Sequence, residues 1–372
     1  MKLIRFATVV VTLGAGSLLF AGQKVPHSPA NDGVGRARVI SPAALFEDKT
    51  DAKVEAKPAE EKDLSVAKSC DKCGKLLPLC GCTTVRVYGD WLYWQPRGTD
   101  LGYAYPTDEA FGRPLGPTVQ VDHDYEPQGF RIGAGFSQDG GLSELRSTFT
   151  YFTAGTNGSA WAPPGRTLQT LLLASPVPLD ADAATTSFAI SNSELYLTTW
   201  DIDYVKSLCA PCEEKTVYGF VGARIGRLDQ RVHVTYDRET VRVSPDLRGG
   251  GIRGGIGGSV RFGKARIFGS AAGSLMATGI DVEYTQDNYL AGRVVDYSQD
   301  VDRVVPIVDL QLGIAYDVTE HLSISAGYDY SIWFNVVTPE AIVNAVQAGD
   351  FSGDLEDDIT FDGAFFRIEA RR

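Results

Sequence analysis

Cysteines are the residues of this sequence best suited to bond formation, and they lie in two groups, CDKCGKLLPLCGC and SLCAPCEE. The six are Cys70, Cys73, Cys80, Cys82, Cys209 and Cys212. An even count in an oxidising compartment favours disulfides, although the connectivity cannot be deduced from sequence. The two CxxC pairs also have zinc-ligand spacing, but zinc would need thiolates that stay reduced. We therefore predict disulfides and no resident metal or cofactor, with a zinc site as the alternative.

Histidines offer little for catalysis, because the four of them are scattered along the chain. They are His27, His123, His233 and His321. No HExxH, GxSxG or Ser-His-Asp arrangement can be assembled from their spacing. We predict that the protein is not an enzyme. The enzymatic alternative is a hydrolase with a triad at the rim of a barrel, to which His123 or His233 would contribute.

Composition narrows the class of partner. The chain has 372 residues, 47 acidic and 35 basic side chains, and a formal net charge of −12. Binding to nucleic acid needs a basic footprint, so we predict no nucleic-acid partner. Hydrophobic residues make up 44% of the chain and there are 40 glycines. This combination is more typical of all-β structure than of helices.

Three segments follow one another along the chain. Residues 1–22 begin with Lys2 and Arg5, continue in a short apolar run and end in small residues, as a secretory signal peptide does. Residues 23–83 are rich in Lys, Glu, Ala and Pro before the first cysteines, which predicts a disordered periplasmic linker. Residues 84–372 change character and form the third segment.

The third segment alternates apolar and polar residues with period two. In HLSISAGYDYSIWF, Ile324, Tyr328 and Ile332 fall on one face, whereas Ser325 and Asp329 fall on the other. Ten such stretches occur near 84–95, 128–137, 142–153, 187–204, 216–228, 250–262, 265–278, 303–317, 321–335 and 358–370. The pattern predicts an all-β fold, an antiparallel up-and-down transmembrane β-barrel of about ten strands, with about eight to fourteen compatible. The alternative is a soluble β-sandwich.

Connections between the stretches alternate in length. Those after stretches one, three, five, seven and nine are long, and the others are short, such as GK at 263–264. Long loops at one end and tight turns at the other are typical of outer-membrane barrels. An even number of strands puts both termini, and both cysteine groups, on the periplasmic side.

Aromatic residues crowd the ends of several stretches, beginning with DWLYW at 90–94. Tyr and Trp concentrate where a barrel meets the lipid–water boundary. We predict an aromatic girdle formed by Trp91, Tyr93, Trp94, Trp200, Tyr204, Trp333 and Phe334.

Charged residues fall on the face opposite the apolar one, which in a membrane barrel faces the lumen. The predicted lumen-lining residues are Arg86, Asp90, Arg131, Glu144, Arg146, Asp201, Asp203, Arg253, Arg261, Asp309 and Asp329, with Arg224 and Arg367 in the same phase. They would either set the ion preference of a channel or neutralise one another in a closed lumen. The alternation is broken between Phe365 and Phe366, which predicts a bulge or an early strand end.

Short motifs of this chain resemble the Legionella-type major outer membrane protein family, with planctomycete members most similar. They are GDWLYWQPRGTDLGYA, GFRIGAGF, ELRSTFTYF and the closing FDGAFF, and the resemblance spans residues 84–370. One departure is the ending FFRIEARR, because barrels of this kind usually finish on an aromatic residue. The resemblance implies a pore-forming β-barrel in the outer membrane of a Gram-negative cell.

Two functions are compatible with these patterns. The first is porin-like passive diffusion of small solutes or ions. The second is a structural or surface-interaction protein of the outer membrane with a closed lumen. The predicted partners are outer-membrane lipid and small solutes or ions, together with either a second copy of the chain or a disulfide-linked partner.

Overall fold

The computed structural model describes residues 84–108, 113–121, 128–138, 142–174, 185–208, 215–349 and 355–372. The predicted signal peptide, the predicted linker and all six cysteines lie outside these residues.

Fourteen strands and one helix make up the described part of the chain. In chain order they are β1 (Thr84–Arg97), β2 (Leu101–Thr107), β3 (Val119–Val121), β4 (Gln128–Gln138), β5 (Ser143–Trp161), β6 (Thr167–Thr170), β7 (Thr185–Thr186), β8 (Phe188–Ser207), β9 (Lys215–Tyr236), β10 (Glu239–Phe262), β11 (Ala265–Asn288), β12 (Gly292–Asp317), β13 (Leu322–Val336), α1 (Pro339–Ala348) and β14 (Asp357–Arg371).

Ten of these strands form a closed antiparallel ring in the order β1-β14-β13-β12-β11-β10-β9-β8-β5-β4. The ring closes because β1 pairs with β14 on one side and with β4 on the other. Closure leaves no unpaired sheet edge, which a membrane strand cannot tolerate. The predicted up-and-down barrel of ten strands is confirmed.

Two of the five predicted long loops are wrong. Only residues 237–238 separate β9 from β10, and only residues 289–291 separate β11 from β12. The intervening sequence continues the strands, so that β9 to β12 are 22 to 26 residues long. A tilted strand crosses the hydrocarbon in about 9–11 residues, so these four extend well beyond it.

The long strands reverse their polarity part of the way along. In β9, Ile225 is exposed on the outside and Arg224 is buried inside, but further along Arg227 faces out and Leu228 is buried inside. In β10, the outward-facing residues change in the same way, from Ile252 in the turn-end part to Arg248 further toward the loop end. The turn-end part of the barrel (the end that contains residues 84 and 371) is therefore apolar outside, as lipid contact requires. The loop-end part is apolar inside, like a soluble protein.

Outside the apolar band, charged side chains cover the outer face of β9 and β10. Arg227 bonds Asp246 at 2.8 Å and Asp229 at 3.1 Å, and Arg248 also bonds Asp246. Burial alone would raise the pKa of Asp246, but the hydrogen bonds from Arg248 and Arg227 outweigh it and hold this pKa below its usual range.

The remaining elements fill the loop end and are called here the plug: β2, β3, β6 with the residues 171–174 that follow it, β7 and α1. The four short strands form a second sheet in the order β3-β2-β6-β7. Helix α1 begins at the N-cap Thr338, whose hydroxyl accepts from the Ala341 amide, and ends at Gly349, whose φ of 63° suits glycine. Its face of Ile342, Val343 and Val346 is buried. Among the described residues, no helix is long and apolar enough to cross a membrane.

Candidate functional site

The structure places every predicted lumen-lining residue on the inner face of the barrel, where each belongs to an ion pair. Pairing across strands brings them together. Asp90 on β1 lies opposite Arg367 on β14 and Arg131 on β4, and Arg146 on β5 lies opposite Asp203 on β8.

One cluster centres on Asp90, which is buried beside two arginines. Arg367 donates to both its carboxylate oxygens at 2.7 and 2.8 Å, and Arg131 donates at 3.2 Å. Arg131 also reaches Asp329 at 3.1 Å. The bidentate contact orients the Arg367 guanidinium as well as neutralising it.

A second cluster lies across the lumen. Arg224 donates to Asp201 at 2.7 and 2.9 Å and pairs with Asp309 at 2.8 Å. Arg253 pairs with Asp201 and, at 3.4 Å, with Asp203. Removing one partner of such a buried pair would leave the other charge uncompensated, so the stability of each charged side chain depends on the others in the cluster.

The turn end carries a third cluster. Arg86 and Arg146 share Glu144, at 2.5 and 3.2 Å, and Arg371 bonds Glu369 at 2.5 Å. Arg261 pairs with Asp317 at 2.9 Å nearby.

Sequence reasoning missed Arg266, Glu369 and Arg371. The structure also contradicts the break in alternation that the sequence predicts between Phe365 and Phe366. Phe365 is buried inside, Phe366 is 49% exposed outside, and β14 pairs with β1 in unbroken register to Arg371. The signal was available, because Glu369 and Arg371 keep the phase of Arg367.

Aromatic rings lie flat on the inner wall because glycines on the neighbouring strand make room for them. The Tyr88 ring covers Gly133, the Tyr218 ring covers Gly257, and a Cβ at either glycine would meet the ring at 2.3 to 2.4 Å. Arginines stack on the exposed ring faces: Arg367 lies 4.3 Å from the Tyr88 centroid and Arg146 lies 5.8 Å from that of Tyr218. This layering of glycine, ring and guanidinium keeps large side chains close to the wall.

A cavity of about 200 Å³ remains between the clusters. Charged and hydroxyl side chains line it, including Arg86, Arg253, Arg266, Asp309 and Asp329. A cavity of this polarity and size holds several waters. Among the described residues, no group of three or more His, Cys, Asp or Glu side chains could hold a metal ion.

Apolar side chains close the cavity toward the loop end. Trp94 and Trp333 are 4% and 1% exposed and pack in one cluster with Phe361 and with Ile342 of the plug. Their assignment to the aromatic girdle is therefore wrong: Trp94 shares a phase with inward-facing Leu92, and Trp333 shares one with inward-facing Ser331. Neighbouring strand residues point to opposite faces, so Trp94 cannot join Tyr93 outside.

Hydrogen bonds tie the plug to the barrel wall. The Tyr236 hydroxyl donates to the Tyr103 carbonyl at 2.7 Å, and the Tyr284 hydroxyl donates to the Leu172 carbonyl at 2.7 Å. Burial raises the pKa of both tyrosines well above the usual range, so both stay neutral donors. Within the plug, the Gln347 amide donates to the Leu171 and Leu173 carbonyls at 2.6 and 3.0 Å.

The other predicted girdle residues lie at different heights. Trp91 and Tyr93 are 64% and 63% exposed on the outside of β1, toward its loop end. Trp200 and Tyr204 are half exposed on β8, but Tyr204 lies near the turn end, opposite Leu145. Phe334 is only partly exposed. A lipid-facing belt formed by these side chains remains a prediction.

A family model described as "Legionella pneumophila major outer membrane protein precursor" matches residues 77–371. The matched range contains the whole barrel and the plug. No curated protein matches the chain significantly.

Solved structures of bacterial outer-membrane proteins show low similarity. The protease OmpT of Escherichia coli is 11% identical, with 77% of this chain and 95% of that chain covered and a TM-score of 0.33. The toluene transporter TodX of Pseudomonas putida is 9% identical, with 78% and 89% covered and a TM-score of 0.23. The channel DcaP of Acinetobacter baumannii is 9% identical, with 78% and 97% covered and a TM-score of 0.15. With TM-scores this low, none of these similarities bears on the function of this chain.

Proposed function

Because the chain belongs to the Legionella pneumophila major outer membrane protein family and is a protein of the outer membrane, we propose that it is a porin-like channel for small solutes or ions. Passage would be passive, through the lumen of the barrel. Selection would be steric and electrostatic, by the arginine and carboxylate side chains of the inner wall.

The polar cavity is the observation that carries this proposal. Side chains of a lumen that served only as packing would fill it, yet here a space of about 200 Å³ separates the ion-pair clusters. Rings stacked on glycines keep that space free. A solute that enters from the turn end meets fixed charges of both signs, held by strands rather than by loops.

Passage through the whole barrel requires the plug to move. Trp94 and Trp333 are buried on the loop-end side of the cavity, in the same apolar cluster as Ile342 of the plug. Loop segments held by a few hydrogen bonds open at lower free energy than the barrel strands. We therefore propose a channel that is closed in the described conformation and opens when the plug leaves the loop end.

The second candidate is a structural or surface-interaction protein with a permanently closed lumen. The apolar cluster at the loop end favours it, because Phe152, Trp333 and Phe361 are almost completely buried there. A cluster of this size is costly to expose.

Single-channel recording distinguishes the two candidates. The full chain would be refolded and inserted into a planar bilayer, with heat-modifiable gel migration as the check that the barrel is folded. The channel proposal expects discrete current steps with long closed intervals. A folded protein that gives no current at any voltage would refute the channel and leave the closed-lumen protein.

A further inference from the structure

Among the described residues that line the cavity, Arg266 is the one arginine without an ion pair. It faces inward from β11 and lines the cavity. The two nearby carboxylates are already held by other arginines: Glu369 by Arg371 at 2.5 Å and Asp317 by Arg261 at 2.9 Å. Seven arginines line this cavity. The other six are each paired with at least one carboxylate.

Two further arginines concentrate positive charge around Arg266. Arg86 and Arg371 are both near enough to repel its guanidinium. Glu369, which is 4% exposed, is the carboxylate these two share, with Arg86 at 3.9 Å. Arg86 also shares Glu144 with Arg146, and Asp317 is paired with Arg261. Five arginines at this level therefore face three carboxylates, and positive charge is in excess.

Donors at this level also lack acceptors. Three buried N–H groups, on Arg86 Nε, Arg266 Nε and Arg371 Nη2, have no hydrogen-bond partner among the described residues. A buried donor without an acceptor is costly, and a charged one more so. An anion with several oxygens would satisfy such donors and reduce the repulsion between the guanidinium groups.

We propose that Arg86, Arg266 and Arg371 form a binding site for a small oxyanion at the turn end of the lumen. The chemistry fits phosphate, sulfate or the carboxylate of a small solute, because planar guanidinium groups bind these in a forked geometry. The inference rests on the proposed channel, for which it names a substrate class. The site would concentrate small anions at the entrance of the cavity.

Binding of inorganic phosphate to the refolded full chain in detergent tests the site. Isothermal titration calorimetry at constant ionic strength should show saturable binding, which Arg266→Gln weakens about tenfold or more. The matched control is Arg248→Gln, which removes an arginine outside the barrel and should leave the affinity unchanged. Acetate in place of phosphate establishes whether a carboxylate suffices.

Two further measurements keep the test decisive. Phosphate should raise the Tm of the wild-type barrel with increasing concentration, whereas sodium chloride at the same ionic strength should not. Arg266→Lys, which keeps the charge, should retain more affinity than Arg266→Gln. The proposed site would be refuted if the folded wild type did not bind phosphate. It would also be refuted if Arg266→Gln and the wild type bound phosphate with equal affinity.

Failure of the site and failure of the channel are distinguishable. Phosphate binding without bilayer currents would refute the channel and leave the oxyanion site standing. Bilayer currents without phosphate binding would refute the oxyanion site and leave the channel standing.

Discussion

Single glycines decide how much space the lumen has. Gly133 lies on β4 beneath the Tyr88 ring, whose hydroxyl is hydrogen-bonded to Thr148 at 2.7 Å. Arg367 stacks on the same ring while it holds Asp90. One absent side chain on the wall therefore fixes the position of a ring, and the ring fixes the position of a charge.

Substituting Gly133 with alanine should displace this arrangement. The new Cβ would lie 2.3 Å from the Tyr88 ring, so the ring must tilt into the lumen and strain its hydrogen bond to Thr148. Overpacking of this kind costs about 1–3 kcal/mol. Urea unfolding of the refolded barrel should show Gly133→Ala less stable by that amount.

Gly89→Ala is the matched control. Gly89 faces outward on the neighbouring strand, and a Cβ there meets nothing within 4 Å. Its stability should stay within about 0.5 kcal/mol of the wild type. Equal stability of the two variants would mean that the Tyr88 ring is not held against the wall by its glycine.

At the level of elements, alternation predicted the barrel where lipid faces one side and water or charge faces the other. All ten predicted stretches are strands of the ring, and stretches such as 265–278 and 303–317 begin or end with the strand. This succeeded because each membrane strand has one apolar face, and the period of two is dictated by strand geometry.

The same reasoning failed where the polarity reverses. In QRVHVTY, Val232 and Val234 face in while Arg231 and His233 face out, which is still a period of two but in the opposite phase. Because the phase changes here, the sequence pattern predicts the end of a stretch at residue 228. The plug was missed for another reason: its short strands and α1 are defined by packing against the barrel interior, and that packing is not local in sequence.

Helix α1 should leave the barrel when its buried face is made charged. Ile342→Asp would place a carboxylate in the apolar cluster, where an unpaired charge is strongly unfavourable. Since α1 is not part of the ring, the barrel should remain folded by heat-modifiable migration. Limited proteolysis should then cut between residues 337 and 356 at least about tenfold faster than in the wild type.

Asn344→Asp provides the matched control for that substitution. Asn344 lies on the exposed face of the same helix, so the added carboxylate stays in water. Its cleavage rate should equal that of the wild type. If both variants were cut at the same rate, α1 would not be held by its apolar face.

At the level of the whole molecule, two solvents explain the two halves of the barrel. The turn-end half is apolar outside and charged inside, and the loop-end half is charged outside and apolar inside. The ion-pair clusters therefore lie at the depth of the membrane, whereas the plug lies inside the part of the barrel that extends beyond the lipid. A plug placed there can move without exposing apolar surface at the depth of the hydrocarbon.

Removing α1 should open the channel. We expect that a chain in which residues 338–349 are replaced by a short Gly-Ser linker gives larger and longer-lived current steps than the wild type. The reason is that Ile342 and Val343, which belong to the same buried apolar cluster as Trp94 and Trp333, would no longer fill the loop end. Ion selectivity should be a weak preference for anions, because most lumen arginines are matched by carboxylates but Arg266 is not. Planar-bilayer recording at several salt gradients measures both quantities. A folded variant that stays silent would show that the barrel wall itself closes the lumen, and would favour the structural role over transport.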